Sequence, residues 1–395
     1  MPIGTPFHSR TSALCVSHNW RVWSGYVVAS SYAVLHDREY HAIRNSAALI
    51  DVSPLYKYDI GGRDALKFVN RVITRDVSKC ALQQAMYTCL CDEEGKVIQD
   101  GTLFRLEENR FRFHLAEPSL RWFQINATGM EVHIQDVSER VAAVALQGPT
   151  SREILRQTLD GDIDQLRFFR FTFGNVGSVR AMISRTGYTG DLGYEIWVSA
   201  NQAEELWDRL IEFGKPYGIT PAGMLALDMA RLEAGFILLE VDYTSVEKAL
   251  IPSQEYSPFE IGLGWTVSLD KENFVGRRAL QEEKQHGSSR QLIGLEIDWD
   301  DYERLYQEAG LAVQLPTAAW RGGVPLYRDG KQVGQATTGG WSPTIKKYIA
   351  LATVQSRFSQ PGTELFMEVT VEYARKKVRS TVVKPPFFDP ERKRR

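Results

Sequence analysis

Long apolar segments are missing from this sequence of 395 residues. No run approaches the ~18 residues that a helix needs to cross a bilayer. The first twelve residues are mostly polar, contain proline and glycine, and lack the hydrophobic stretch of a signal peptide. We therefore expect a soluble protein of the cytoplasm that has no membrane partner.

Cysteine is scarce, and its spacing does not suit a metal. The four cysteines are Cys15, Cys80, Cys89 and Cys91, and only the last two are close in sequence. A zinc site would need a second such pair or a histidine cluster, whereas the seven histidines are scattered. The sequence predicts reduced, packed thiols and no metal.

A strong charge of one sign and the common nucleotide-binding motifs are also lacking. The formal net charge of −2 provides no overall field for nucleic acid, and the basic end, residues 391–395, is predicted to be a solvated terminus. Gly-x-Gly-x-x-Gly, Walker-type loops and Gly-x-Ser-x-Gly are all absent. Their absence argues against bound FAD, NAD or ATP and against a serine hydrolase. We expect no nucleic-acid partner.

What the sequence does contain is an α+β pattern followed by an all-β end. The polar stretch 282–290, with its glycine and two serines, is interpreted as a linker. Beyond it the pattern is all β, with Asp329-Gly330 as a hairpin turn. We predict the fold class α+β, divided into an α+β body from residues 1–58 and 140–281, a second α+β domain at 59–139, and a C-terminal β domain at 290–395.

Two turns carry residues suited to a ligand. The segment 185–195 contains three glycines around Tyr188 and ends at Glu195. Such a turn lets the backbone approach a flat ligand closely, while the tyrosine supplies a stacking face. The segment 95–101 begins and ends with glycine and carries Asp100. Each segment alone also fits an ordinary β-turn, so the residues by themselves leave both possibilities open.

Taken in order and spacing, these segments resemble the glycine-cleavage T-protein (aminomethyltransferase) family, within its tetrahydrofolate-dependent methyltransferase/demethylase branch. The resemblance covers nearly the whole chain and is specific for the fold and for folate. It is carried by residues 47–53 (AALIDVS), Tyr87 with 95–100, 146–149 (LQGP), 185–195, 221–234, 259–265, 274–280 and 334–352.

The resemblance implies three domains around a central channel that holds tetrahydrofolate, with a β-barrel-like C-terminal domain. Asp100 matches the family's catalytic carboxylate. Glu195 would bind the amino-pyrimidine edge of the pterin by accepting two parallel N–H bonds, which is a strong and orienting arrangement. Tyr188 and Tyr87 would flank the pterin or aminobenzoate ring.

Two arginines complete the cofactor-binding set that the resemblance implies. Arg231 and Arg321 match family arginines of the channel, although an ion pair within the fold remains an open alternative for each. The chain also departs from the family pattern. Gln99 replaces the first of a pair of aspartates and leaves Asp100 in place, and Leu227 stands where the T-protein usually has arginine.

Further departures concentrate where a donor molecule would bind. Two usual asparagines are replaced, and the N-terminal segment has an aromatic cluster of its own. Aromatic faces with an acidic neighbour would hold a cationic methyl donor, whereas an aryl methyl ether would need a proton donor. Simple packing of the aromatics on the body is the alternative. The candidate donor-pocket residues are Trp20, Trp23, Tyr26, Tyr32, His114, Glu117 and Tyr243.

We therefore predict an enzyme that moves a methyl group from a small N-, S- or O-methylated donor to tetrahydrofolate. One alternative is the aminomethyltransferase of the glycine cleavage system, which takes its carbon from a lipoyl carrier protein. The other is a folate-binding protein without transferase activity. Because the changes at His114, Glu117 and Leu227 affect the substrate side, a lipoyl carrier protein is expected to be an unlikely partner.

Overall fold

The computed structural model describes residues 1–316 and 318–394. Its N-terminal segment forms a small three-stranded sheet with the order β1-β3-β2. The tight turn between the last two strands uses Ser24 and Gly25, both at positive φ, as a two-residue hairpin requires. The elements of this segment are β1 (Ile3–Gly4), α1 (His8–Leu14), β2 (Asn19–Trp23), β3 (Tyr26–Ser31) and α2 (Asp37–Asn45).

The body is built on a six-stranded sheet with the order β11-β12-β13-β10-β4-β14. Its central strands are apolar on both faces, because helices cover one face and a second sheet covers the other. The strands are β4 (Ala47–Asp51), β10 (Val141–Gln147), β11 (Phe171–Val176), β12 (Val179–Ser184), β13 (Gly193–Ser199) and β14 (Ile219–Pro221), and the helices are α5 (Ser151–Thr158), α6 (Ala203–Gly214) and α7 (Met224–Glu233).

The covering sheet belongs to the segment inserted between β4 and β10. It has five strands in the order β6-β7-β8-β5-β9, and Phe104 packs from it onto Phe171 and Trp197 of the body. Its elements are β5 (Tyr56–Gly61), α3 (Ala65–Val72), β6 (Gln84–Cys91), β7 (Val97–Glu107), β8 (Arg110–Leu115), α4 (Leu120–Asn126) and β9 (His133–Asp136).

The C-terminal part is a closed six-stranded barrel with the order β15-β18-β17-β16-β19-β20. The predicted hairpin at Asp329-Gly330 is confirmed, with both residues at positive φ. The elements are α8 (Arg277–His286), β15 (Arg290–Ile297), α9 (Trp299–Glu308), β16 (Trp320–Arg328), β17 (Lys331–Ser342), β18 (Lys347–Gln355), β19 (Glu364–Val371) and β20 (Ala374–Val383). The α+β fold class and the C-terminal barrel are confirmed. The domain boundaries given above remain our proposed division.

Two expectations about polar segments are wrong. The stretch 282–290 is only partly a linker, because α8 continues through His286 and Leu280 anchors the helix in a core. The basic end is not simply solvated: Arg392 binds Asp191 with a distance of 2.6 Å, and Lys393 is 9% exposed. The last residue of that end, Arg395, lies outside the described residues. In the part of the chain that the structure describes, no helix is both long and apolar enough to cross a membrane.

Candidate active site

Asp100 lies on β7 with both carboxylate oxygens held by tyrosines. The Tyr87 hydroxyl donates to Oδ2 at 2.5 Å, and the Tyr243 hydroxyl donates to Oδ1. The Asp100 N–H in turn donates to the Tyr243 oxygen at 3.1 Å. Burial raises the pKa of Asp100, and the two tyrosine hydrogen bonds oppose that rise. Burial and the neighbouring carboxylate raise the pKa of both tyrosines well above its ordinary value. The phenols therefore remain donors that fix the direction of the carboxylate.

Strand register connects Asp100 to Glu195 through a row of side chains between the two sheets. Asp100 and Thr102 occupy alternate positions of β7 and so share a face, and Thr102 is paired with His114 of β8. The His114 ring stacks on Trp197 with centroids 3.7 Å apart. Trp197 and Glu195 alternate on β13 and also share a face. The row thus runs from one predicted site carboxylate to the other.

Glu195 itself is half-buried and has one engaged carboxylate oxygen. The Thr186 hydroxyl donates to Oε2 at 2.5 Å, while no donor to Oε1 is recorded within residues 1–316 and 318–394. Burial raises the pKa of Glu195, and the Thr186 hydrogen bond opposes this effect. An oriented carboxylate with an open oxygen is suited to accept N–H bonds from a ligand.

The glycine-rich turn before Glu195 is wrapped around the side chain of Gln147. The Gln147 amide donates to the Thr186 carbonyl at 3.3 Å and accepts from Thr189 at 2.8 Å. A Cβ at Gly187 would lie 2.1 Å from Gln147 Oε1, and one at Gly193 would lie 2.3 Å from Gln147 Cδ. A side chain at either position would displace the Gln147 amide and break its hydrogen bonds to Thr186, Thr189 and Tyr194, so glycine is favoured at both.

Tyr188, at the tip of the same turn, presents a ring and not a hydroxyl. Its hydroxyl donates to the Ile237 carbonyl, and its ring stacks on Phe236 with centroids 5.6 Å apart. Burial raises the pKa of Tyr188, Arg231 opposes this, and Asp100 adds to it. Since the hydroxyl is occupied, a ring face is what this residue can offer to a flat ligand.

Trp265, to which the sequence analysis gave no role, lies beside the candidate site. Its ring stacks on Tyr87 with centroids 6.3 Å apart and a 22° angle, and it is 61% exposed. The Arg75 guanidinium lies over the same indole at 5.1 Å and donates to the Tyr87 carbonyl at 3.2 Å. The sequence did contain a signal for Trp265, because this residue ends the segment 259–265, one of those that carry the family resemblance.

The two predicted cofactor-binding arginines are held by carboxylates. Arg231 is fully buried, donating to Asp242 at 2.5 Å and to Thr338 at 2.9 Å. Arg321, from the barrel, donates through one terminal nitrogen to both oxygens of Asp228 at 2.6 and 2.5 Å. Each arginine thus has the ion pair that the sequence left open as the alternative to ligand binding. Arg321 differs from Arg231 in that its side chain remains 38% exposed.

The aromatic donor-pocket candidates do not form one cluster. Trp23 packs in the apolar cluster that also holds Tyr188 and Leu227. Trp20 and Tyr32 pack instead in the core beneath the helix-covered face of the body, and Tyr32 is only 6% exposed. The Tyr32 ring is part of that core, and the half-buried Trp20 ring packs against it. Half-buried Tyr26 lies outside both clusters, on β3.

The two substituted asparagine positions also differ from each other. His114 is 4% exposed, and within the described residues its Nε2 has no hydrogen-bond partner. Burial lowers the pKa of His114 well below the usual value. Glu117 is half-exposed and pairs with Lys248 at 3.0 Å. Gln99 bonds both the N–H and the carbonyl of Glu117, at 3.0 and 3.1 Å. The His114 change therefore alters interior packing. Glu117 lies at the edge of the site, where its backbone is held by Gln99, another residue that differs from the family pattern.

Two family models match the chain, the GCVT N-terminal domain over residues 8–271 and the glycine cleavage T-protein C-terminal barrel domain over residues 307–389. An aminomethyltransferase of Caldanaerobacter subterraneus is 34% identical over 355 residues, which covers 89% of this chain and 87% of the relative. The aminomethyltransferase of Bacillus subtilis is 34% identical over 357 residues, covering 89% and 90%. In fold, the chain is similar to glycine cleavage system aminomethyltransferase T from Bartonella henselae, with a TM-score of 0.83 and 24% identity over 98% of this chain and 99% of that one.

These relatives contradict the expectation that a lipoyl carrier protein is an unlikely partner. That expectation rested on the changes at His114, Glu117 and Leu227, yet the chain aligns over 89% of its length with aminomethyltransferases. The structure supplies a physical reason. His114 and Leu227 are 4% and 8% exposed and pack among apolar side chains, so these two changes alter packing inside the protein and are no evidence against a carrier.

Proposed function

This chain belongs to the glycine-cleavage T-protein family, and on that premise we propose that it is an aminomethyltransferase that passes a one-carbon unit from a lipoyl carrier protein to tetrahydrofolate. At the coarser level it is a folate-dependent transferase enzyme. The finer statement is supported by relatives of similar length that carry the aminomethyltransferase name. One structural observation carries it: Asp100 is oriented by two phenols at one end of a row of side chains that ends at Glu195.

The residues present fit a reduced pterin. Glu195 has one oxygen fixed by Thr186 and offers Oε1 to the N–H groups of the amino-pyrimidine edge. Tyr188 offers a ring face close to the same turn, and Tyr87 and Trp265 form a stacked aromatic pair beside Asp100. In our proposal Glu195 holds the pterin edge and the aromatic rings position the rest of the ligand.

The role of Asp100 is to receive a proton at the reacting end. When bound, tetrahydrofolate would supply two nitrogen nucleophiles, N5 and N10. Each would form a bond to the donor carbon as the bonds from that carbon to the lipoyl sulfur and to its amino nitrogen break, so that the dihydrolipoyl thiol and ammonia leave. Asp100 takes up the proton that the alkylated nitrogen loses, and its carboxylate stabilises positive charge that develops at the carbon. Burial raises the pKa of Asp100, which makes it a better proton acceptor than an exposed aspartate.

The deciding assay supplies tetrahydrofolate with either an aminomethyl-loaded lipoyl carrier protein or a panel of methylated amines, sulfonium compounds and methyl ethers. Folate products are identified by mass. We expect the product to be 5,10-methylenetetrahydrofolate and its formation to require the loaded carrier protein. A 5-methyl product from a small donor, with no turnover of the carrier, would overturn the proposal.

The folate side is tested separately with Glu195→Ala. Because the change deletes charge-assisted hydrogen bonds in a half-buried site, tetrahydrofolate binding should weaken by ~2–4 kcal/mol. Glu205→Ala, an exposed carboxylate on α6, is the matched control and should bind normally. Unchanged affinity in a folded Glu195→Ala protein, measured by calorimetry, would remove Glu195 from the site.

A second candidate, direct methyl transfer from a small donor, is favoured by one observation. Trp23 lies in the same apolar cluster as Tyr188 and Leu227, so an aromatic face and an aliphatic side chain are near the site. Trp23→Ala should then raise the donor KM and leave folate binding unchanged. Trp20→Ala, which removes a ring packed in the other core, is the control for simple loss of stability. Normal kinetics in both variants would exclude this candidate.

A further inference from the structure

Residues 387–393 follow the last barrel strand and return to the body of the protein, and we call them the strap. The N–H groups of Phe387 and Phe388 both donate to the carbonyl of Glu233, the last residue of α7, at 2.9 Å. The Arg44 guanidinium lies over the Phe388 ring, 4.7 Å from its centroid. The strap is therefore fastened to the body where it begins.

Arg392 of the strap forms a two-point ion pair with Asp191, which lies inside the turn 185–195. Its Nε and one terminal nitrogen donate to the two carboxylate oxygens at 2.6 and 2.8 Å. Arg44 reaches the same carboxylate at 3.3 Å, while its shorter bonds go to Glu233. The Asp191 side chain is 0% exposed. Removing Arg392 would therefore leave a buried carboxylate without its closer cation, which is strongly unfavourable.

Asp191 passes this restraint to the backbone of the turn. Its Oδ1 accepts from Arg392 and also from the N–H of Leu192, at 2.8 Å. The ion pair thus restrains the chain between Tyr188 and Glu195, the two residues of this turn that are proposed to contact the pterin.

A second link runs from the strap to the ring of Tyr188. Lys393 is 9% exposed, and its ammonium lies 4.9 Å from the centroid of the Phe236 ring. Phe236 in turn stacks on Tyr188 with centroids 5.6 Å apart. The Lys393 carbonyl accepts from Arg185, the first residue of the turn, at 3.3 Å. Contacts from the strap therefore reach the beginning and the middle of the turn and the ring packed on its tyrosine.

The reacting carboxylate is held by other means, because Tyr87 and Tyr243 orient Asp100. A change in the strap should therefore affect the binding of the ligand and leave the reacting group in place. Arg392 also lies beyond residue 389, where the match to the barrel family model ends. The family match thus does not account for the contact between the strap and the turn.

We propose that the strap positions the turn 185–195 for folate, and that Arg392 is the positioning residue through which it acts. Arg392 does not touch the ligand: it orients Asp191 and thereby Tyr188 and Glu195. With the strap loosened, the binding residues would still be present, but they would have to be ordered when the ligand binds, which weakens binding. This inference rests on the proposed folate binding described above.

Amide hydrogen exchange on the ligand-free protein tests whether the strap holds the turn. In Arg392→Gln, exchange within residues 185–195 should become about tenfold faster or more, because Asp191 loses its two-point partner and its bond to the Leu192 N–H loosens. Exchange in β17 and β18 of the barrel should match the wild type. Equal acceleration throughout the protein, with unchanged folate affinity, would mean that Arg392 only stabilises the fold and would overturn the inference.

Calorimetry and kinetics test the consequence for the ligand. Tetrahydrofolate should bind Arg392→Gln about fivefold to tenfold more weakly. Arg392→Lys keeps the charge but loses the two parallel bonds, so its affinity should lie between the two. With loaded carrier protein, the KM for folate should rise by the same factor while kcat at saturating folate stays near the wild-type value. Unchanged folate affinity, or a fall in kcat alone, would contradict the positioning role.

Arg394→Gln is the matched control, because Arg394 directly follows the strap and pairs with Asp389 at the surface. It should match the wild type in exchange, affinity and kinetics. If Arg392→Gln does not fold, Arg392→Lys carries the same comparison with smaller effects. If the wild-type protein does not bind tetrahydrofolate, the proposed function fails, and exchange on the ligand-free protein still decides whether the strap holds the turn. The two failures are therefore distinguishable.

Discussion

Asp100 and Asp228 each accept hydrogen bonds from two side chains, but the two pairs of donors differ in charge. Asp100 is held by two neutral phenols, whereas Asp228 is held by two guanidiniums, those of Arg21 and Arg321. Neutral donors fix the direction of a carboxylate and leave its charge available to a ligand. Cations neutralise it and turn the aspartate into a structural link. The comparison explains why two carboxylates near Tyr188 are suited to different tasks, one to chemistry and the other to assembly.

The largest effect is expected when the negative charge of Asp100 is removed. Asp100→Asn keeps the shape but loses the proton acceptor, so turnover should fall by ~10²-fold or more, with folate affinity nearly intact. Steady-state kinetics and calorimetry on the same preparation measure the two quantities. Asp136→Asn, an exposed carboxylate of the same sheet region, should behave as wild type. Near-normal turnover of Asp100→Asn would mean that Asp100 has only a structural role in the protein.

Removing the charge at Asp228 should instead cost stability. Asp228→Asn leaves the two guanidiniums facing each other, so the free energy of unfolding should fall by about 1–2 kcal/mol, between the values for buried and exposed ion pairs. Urea unfolding provides the measurement. Asp208→Asn, which breaks the surface pair with Arg10, should cost much less because both side chains are exposed to solvent. Equal costs for the two variants would contradict the assembly role of Asp228.

The smallest effect is expected when one of the two tyrosine hydroxyls that donate to Asp100 is removed. In Tyr243→Phe a hydrogen bond that lowers the pKa of Asp100 is lost, while the burial that raises it remains. The pKa of Asp100 should therefore rise further, and the acid limb of the rate–pH profile should move to higher pH, with up to about tenfold lower activity at neutral pH. Tyr327→Phe, which removes a phenol from Glu368 in the barrel, should leave the profile unchanged. An unshifted acid limb in Tyr243→Phe would mean that another group sets it.

Much of the fold was predictable, because binary patterns and turn chemistry act locally. The all-β end, the Asp329-Gly330 hairpin and the α+β body follow from such patterns. The linker prediction at 282–290 was wrong in part because polar residues on the exposed side of α8 resemble a loop when the buried Leu280 is overlooked. Similarly, a basic terminus gives no sign that Arg392 will find Asp191.

The partners of the site residues were less predictable, since they depend on contacts across the sequence. Tyr87 and Tyr243 were assigned separate roles, yet strand register and the loop after α7 bring both hydroxyls to Asp100. Leu227 was interpreted as a lost arginine, and the sequence did not indicate that Arg21 would lie against the next residue, Asp228. Such pairings are properties of the folded chain and not of any local segment.

The close wrapping of the Gly187–Gly193 turn around Gln147 sets a boundary for redesign. Because the Gln147 amide fills the space that side chains at both glycines would occupy, a substitution at either glycine would break the hydrogen bonds by which Gln147 holds the turn that carries Tyr188. The N-terminal hairpin is not wrapped around a buried side chain in this way. An added Cβ at Gly25 would meet no described atom within 4 Å, and glycine is favoured there only by its positive φ of 82°. On the second candidate function, which places Trp23 of the hairpin beside the donor, libraries aimed at new one-carbon donors should diversify hairpin positions other than Gly25 and keep Gly187 and Gly193, so that the Tyr188 ring and the Glu195 carboxylate keep their positions.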